Sequence, residues 1–281
     1  MSGFEHMTNG IFVAPRESAA NTGQDAFLEV KGLGVEFGGL TALSGYSLTL
    51  EKGQLLGIIG PNGAGKTTLF NLLTGLVPPT TGRVIIHGRD ITGAKPQVLA
   101  GAGVARTFQN IRNIRGLSVI DNVKVSLGLH EAPSLLSTIL STSGYRTGQA
   151  RTEQKARDLL QLLNLDDVRD SPGDGLPYGA QRRLEIACAL ALEPKLLLLD
   201  EPAAGMNPTE TIGLMELIKR VRREFSLTIM LIEHNVHFIM NTCERIQVLN
   251  YGELIADGEP SYIRKHPAVI DAYLGAGVHD A

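Results

Sequence analysis

The 281-residue sequence predicts an α/β domain built on a parallel sheet. Three observations predict it. Leu55, Leu56, Ile58 and Ile59 form a short apolar run that enters Gly60-Pro-Asn-Gly-Ala-Gly-Lys-Thr-Thr68, and Leu69, Leu72, Leu73 and Leu76 follow at helical spacing. Leu196 to Leu199 is four leucines without alternation, the pattern of a strand covered on both faces, and it closes on Asp200-Glu201. Leu227 to Ile232 is a second such run and ends in Glu233-His234. Ligands of open α/β sheets bind beyond the carboxyl ends of the strands, where both polar pairs fall.

The stretch from Gly60 reads G-x-x-x-x-G-K-T, the loop that joins a strand to a helix and binds phosphate. Its glycines let the backbone curl so that successive N–H groups converge on phosphate oxygens, and the helix N-terminus adds partial positive charge. Gly60, Pro61, Asn62, Gly63, Ala64, Gly65, Lys66, Thr67 and Thr68 are therefore the candidate phosphate ligands. Lys66 is expected to reach the β- and γ-phosphates and the Thr67 hydroxyl to ligate Mg²⁺. Asp200 is placed to help hold that Mg²⁺, and Glu201 to orient or deprotonate an attacking water. His234, just past a central strand, is placed for contact with the γ-phosphate.

Composition bounds the rest. With 43% apolar residues the chain can bury a sizeable core, and a net charge of -3 argues against a broad nucleic-acid surface. No apolar stretch approaches the roughly 18 residues of a spanning helix, and the N-terminus lacks a basic region followed by an apolar run. A cytosolic chain is expected, either soluble or attached to a membrane only through a partner. Cys188 and Cys243 lie far apart without metal-ligand neighbours, the pattern of buried structural thiols.

Taken in order, residues 1–25 mix Gly, Ser, Asn, Thr and Pro without periodicity and are expected to be a flexible tail. Residues 26–110 form the first part of the core. They open with two strand candidates around Gly38-Gly39, an antiparallel sheet ahead of the phosphate loop, with Phe37 at its edge as a ring that can stack on a base. Val104 to Gln109 is a strand ending in a polar residue. Residues 111–175 have no strong strand signal and read as a helical insertion: Ser118 caps a helix with Asp121 at the capping-box position. Leu135, Leu136, Ile139 and Leu140 share one face, and Ala156, Leu159, Leu160, Leu162 and Leu163 line another helix. Residues 176–259 return to the core with three helices, Arg182 to Leu192, Thr209 to Phe225 and Asn235 to Cys243, two buried strands and two final strand candidates. Residues 260–281 read as a helical tail.

This set of residues resembles the ATP-binding cassette family. Gly60 to Thr68 matches its first nucleotide motif, Leu196 to Glu201 its second with the catalytic glutamate, Gln109 its Q-loop, His234 its switch histidine and Phe37 its adenine-stacking aromatic. The resemblance implies a P-loop NTPase fold of the cassette type, with a parallel-sheet core, an antiparallel β subdomain and a helical subdomain. It implies ATP and Mg²⁺ as cofactors, Gln109 touching the Mg²⁺ or the water and coupling to a permease, and two cassettes facing head to tail. Each ATP would then lie between one phosphate loop and the other chain's signature segment, here Leu176-Pro177-Tyr178-Gly179-Ala180, so that Tyr178, Gly179 and Ala180 contact nucleotide across the dimer.

The signature departs from L-S-G-G-Q: Pro177 removes a hydroxyl, Asn207 stands where many cassettes carry aspartate, and Cys188 replaces a common arginine. Tyr178, the run Arg182 to Ala187, Asp200 to Pro208, Ile232 to Asn235 and Asp271 to Gly275 look like ATPase subunits of branched-chain amino-acid importers. That resemblance implies two transmembrane permease subunits, a second cassette, identical or paralogous, an external solute-binding protein, no nucleic acid, and a peripheral place on the cytoplasmic face of the inner membrane. Importers of urea, amides or other amino acids and lipopolysaccharide exporters remain alternatives, as does a soluble clamp on ribosomes or DNA. Arg106, Arg112 and Arg115 either line the permease groove or form an ordinary solvated basic face.

Overall fold

The computed structural model describes residues 26–107, 114–128 and 143–276. Its elements form two sheets. Strands β1 (Ala26–Phe37), β2 (Leu40–Glu51), β4 (Thr81–Ile86) and β5 (Arg89–Asp90) make an antiparallel sheet in the order β2-β1-β4-β5. The other sheet runs β10-β9-β3-β8-β7-β6, from β3 (Leu55–Ile59), β6 (Val104–Arg106), β7 (Leu196–Asp200), β8 (Thr228–Ile232), β9 (Arg245–Asn250) and β10 (Glu253–Gly258). All its pairings are parallel except β9 with β10.

The leucine runs are explained by two cores, one on each face of the six-stranded sheet. Leu55, Ile59, Leu197, Leu199, Ile229 and Leu231 enter one; Leu56, Ile58, Leu196, Leu198, Met230 and Ile232 enter the other. Alternate side chains leave a strand on opposite faces, so a strand covered on both sides must be apolar throughout. The second core also holds α1 (Lys66–Leu73), through Leu69, Phe70, Leu72 and Leu73, and the inner face of the antiparallel sheet.

The first core is continuous with the helical segment. Val119, Ile120, Val123 and Leu127 of α3 (Val119–Gly128) and Ala156, Leu159 and Leu160 of α4 (Ser143–Leu162) join Leu184 and Ala187 of α5 (Tyr178–Leu190) in it. Ser118 starts α3 as expected: its hydroxyl accepts the Asp121 N–H at 3.2 Å. It also donates to the Asp121 carboxylate at 2.6 Å, in place of the reciprocal backbone bond of a full capping box. Beyond a short α2 (Pro96–Gly101), the remaining helices are α6 (Pro208–Phe225), α7 (Val236–Thr242), α8 (Pro260–Ile263) and α9 (Pro267–Ala276).

Some expectations are refined. β1 and β2 are 12 residues each, longer than their alternation suggests, because bulges break the register and shift which residues face inward. β6 closes after Arg106, and Thr107 continues toward β7 by donating its N–H to the Leu198 carbonyl and accepting the Asp200 N–H on its hydroxyl. Gln109, Arg112, the Leu135 to Leu140 face, residues 1–25 and residues 277–281 of the tail lie outside the described residues. No helix among the described residues is long and apolar enough to cross a membrane.

Candidate active site

The phosphate loop leaves β3 and turns into α1 by a backbone that only glycine permits at its two ends. Gly60 has φ 154°, and a Cβ there would lie 2.1 Å from the Leu249 carbonyl oxygen. Gly65 has φ 97° and would meet the Ala42 oxygen at 2.8 Å. Both therefore combine an unusual φ with close backbone approach. Lys66 is buried, and its ammonium donates to the carbonyls of Gly60 at 2.7 Å and Pro61 at 2.9 Å, bracing the loop from inside. Burial lowers the Lys66 pKa, opposed by the Glu201 and Asp200 carboxylates, so both acidic groups act on this ammonium.

A cleft of about 500 Å³ opens over the loop, lined by Asn62 to Thr68, by Glu201, and by Leu40, Thr41, Ala42 and Tyr251 on its rim. Phe37 does not line it; it stands at the end of β1, 49% exposed. Tyr251 is a rim residue that the sequence reading missed. It shares a two-residue hairpin between β9 and β10 with Gly252, with φ values of 47° and 79°, and is 85% exposed. The signal was present in Asn250-Tyr-Gly-Glu253, a two-residue link between strands, although tyrosine is an unfavoured residue for positive φ.

Asp200 and Glu201 leave the end of β7 in different directions. Asp200 is buried and paired with Arg106, whose guanidinium donates at 2.7 Å to the carboxylate and at 2.8 Å to the Asn71 side chain, 5.5 Å from the centre of the Phe70 ring. Arg106 therefore cannot line a permease groove: its side chain is only 5% exposed and points into the site. Arg115 is exposed. Glu201 has φ 47° and donates its N–H to the Ile232 carbonyl at 2.9 Å, which turns its side chain away from the sheet and toward the cleft. His234 Nδ1 lies 3.7 Å from Glu201 Oε2.

Glu233, between Ile232 and His234, was also missed. It is fully buried, and its carboxylate accepts the Ala203 N–H at 2.8 Å and the Asn235 N–H at 3.4 Å, with His234 Nδ1 4.0 Å away. Burial raises its pKa, opposed by those two N–H donors and by His234, with Glu201 adding to the rise. Its sequence signal was an acidic residue directly following a buried strand.

Tyr178, Gly179 and Ala180 open α5 and do not line the cleft of this chain. Pro177 precedes the helix without a side-chain cap, and its carbonyl accepts the N–H groups of Ala180 and Gln181. As at any helix start, the first N–H groups, those of Tyr178 and Gly179, have no acceptor inside the helix. The Tyr178 hydroxyl accepts from Arg182 at 3.0 Å, and Arg182 pairs with Glu185 at 2.9 Å, so a buried ion pair is present in α5 without the arginine that Cys188 replaces. Asn207 caps α6: it accepts the Glu210 N–H at 2.9 Å, and Glu210 accepts the Asn207 N–H at 3.0 Å.

The phosphate loop and Glu201 thus line one cleft, with His234 3.7 Å from Glu201, while Asp200 and His234 are not among the residues that line it. Comparison with known proteins identifies the family. The ABC transporter family model matches residues 43–204, more than half of the chain. This chain belongs to the ABC transporter family. A model described as branched-chain amino acid ATP-binding cassette transporter matches residues 253–279. The cassette is 42% identical to the high-affinity branched-chain amino acid transport ATP-binding protein BraF of Pseudomonas aeruginosa, over 88% of this chain and 97% of that one. It is 35% identical to the lipopolysaccharide export system ATP-binding protein LptB of Escherichia coli K12, over 89% and 98%. Among solved structures it is similar to the ADP conformation of MJ1267, an ATP-binding cassette of an ABC transporter, with a TM-score of 0.76 and 28% identity, covering 90% of this chain and all of that one. As an ABC ATPase, the chain binds and hydrolyses ATP in the service of transport.

Proposed function

We propose that this cassette powers an importer of branched-chain amino acids. The 42% identity to BraF over nearly the whole of both chains carries this reading, and the match of residues 253–279 to a branched-chain model supports it. The lower identity to LptB, over similar coverage, makes export the weaker reading. The partners would be two membrane permease subunits, a second cassette, identical or paralogous, and an external solute-binding protein acting through the permease. The chain would sit peripherally on the cytoplasmic face of the inner membrane, with no nucleic acid involved.

The residues fit the chemistry. The loop N–H groups from Gly60 to Thr68 and the Lys66 ammonium would hold the triphosphate, and Phe37 would stack on the adenine. Lys66 has a strong hydrogen-bonding ammonium on loop carbonyls that phosphate oxygens can replace. Thr67 and Asp200, with Gln109, are the oxygen donors suited to Mg²⁺, whose role is to neutralise phosphate charge. Glu201 would take a proton from water as its oxygen attacks the γ-phosphorus. The bond to the ADP oxygen breaks, giving ADP and phosphate. His234, 3.7 Å from Glu201, would orient that water and the γ-phosphate. Tyr178, Gly179 and Ala180, at the N-terminus of α5, would complete the site of the partner cassette with helix-start N–H groups.

Glu201→Gln keeps the side chain's size and loses its basicity. ATP binding should persist while turnover falls at least about 100-fold; near-normal turnover would remove Glu201 from the role. Purification from native membranes should bring down two polytopic proteins, and recovery with ribosomes instead would contradict the transport reading.

A further inference from the structure

We propose that Glu233 is a positioning residue for the hydrolytic step, holding the turn after Glu201 and the switch histidine in one register. The inference rests on the assignment of Glu201 and His234 above, and it adds a residue those roles do not include.

Three observations meet at this carboxylate. The first is backbone strain: Glu201 has φ 47°, a left-handed conformation that crowds the Cβ of an L-residue against the following carbonyl. Such a conformation persists only where surrounding contacts over-determine it. The second is what holds it. The Glu201 N–H is fixed on the Ile232 carbonyl, and two residues later the Ala203 N–H is fixed on the Glu233 carboxylate at 2.8 Å. Ile232 and Glu233 are consecutive, so one strand end clamps both sides of the strained residue. The third is the far side of Glu233, which faces the Asn235 N–H and His234 Nδ1 at 3.4 and 4.0 Å. The same group therefore sets the start of α7, where Asn235 caps the helix by accepting the Phe238 N–H at 3.1 Å.

The turn held by Glu233 does not end at the cleft. A Cβ on Gly205 would touch the Tyr178 ring at 3.3 Å, so the turn packs directly on the first residue of α5. Glu233 is thus the buried tie between the residues around the attacking water and the segment that faces a partner cassette. Its cost is a carboxylate with no exposed surface, which an apolar side chain would avoid; the N–H donors around it fit only an acceptor.

The test compares the full-length wild-type chain with Glu233→Gln, Glu201→Gln and the double variant. Glutamine can still accept the Ala203 N–H, but its amide nitrogen meets donors where the second carboxylate oxygen stood. Melting temperature and binding of a fluorescent ATP analogue in EDTA establish folding and nucleotide affinity. Steady-state ATPase then separates kcat from KM. The expected result is a folded Glu233→Gln protein with ATP affinity and KM within about threefold of wild type and kcat reduced at least about tenfold, as displacement of a catalytic group produces. Adding Glu233→Gln to Glu201→Gln should lower turnover no further, because residues that act as a unit are not additive. A kcat within twofold of wild type, or a change confined to KM, overturns the proposal. If Glu201→Gln also turns over normally, the Glu201 assignment fails with it; if Glu201→Gln is inactive, only the role of Glu233 falls.

Discussion

The Asp200 carboxylate is held by a buried guanidinium, that of Arg106, 2.7 Å from it. Removing one partner of a buried pair leaves an uncompensated charge, so Arg106→Met should lower stability by about 3–5 kcal/mol in urea unfolding. Arg106→Lys should recover only part, since an ammonium cannot reproduce the fork that reaches both Asn71 and Asp200. An Arg106→Met protein as stable as wild type would mean the pair contributes nothing. The positions of Lys66, Asp200, Glu201 and His234, at the phosphate loop and at strand ends, were legible in the sequence because each is marked by its own neighbours, a glycine loop or a buried strand. Arg106 was misread because its partner is 94 residues away and nothing local marks its side chain as buried. Glu233 was passed over for the same reason: its acceptor role depends on Ala203, 30 residues distant.

Among the elements, α6 has the most explicit local code. Asn207, Pro208 and Glu210 supply cap, first-turn proline and capping-box acid, and Arg222 and Arg223 stand in its last turn. The asparagine where other cassettes carry aspartate is thus a working cap. Asn207→Ala should cost about 1 kcal/mol of stability in thermal or urea unfolding, and Asn207→Asp should retain most of it; an unaffected alanine variant would show that the cap is dispensable. The central strands were equally legible, since their apolar runs are too short for a helix and end in polar or glycine-rich loops. Strand ends in the antiparallel sheet were less so. Bulges in β1 shift the register with no compositional signature beyond scattered glycines.

For the whole molecule, two cores separated by one sheet account for why so much of the fold could be read from apolar runs. Both cysteines belong to that packing. Cys243 lies where a Cβ on Gly57 would meet its sulfur at 2.9 Å, and burial raises its thiol pKa; burial also pushes Cys188 up to about 11, with a Ser126 hydrogen bond opposing. A raised pKa leaves little thiolate at pH 8, so iodoacetamide should label both on the order of 100-fold more slowly in the native protein than after denaturation. Equal rates would place them at an open surface. The proposed pairing of one cassette with another rests on family resemblance alone, because an interface completed by a second chain leaves no periodicity in the first.

The most direct test is equilibrium binding of ATP with Mg²⁺ to the wild-type chain and to Lys66→Ala. Hydrogen bonds to charged groups are worth about 1.5–3 kcal/mol, so the variant should bind roughly 10- to 100-fold more weakly than a wild type that retains the nucleotide. Equal affinities, or no binding by either protein, would contradict the account of the phosphate loop.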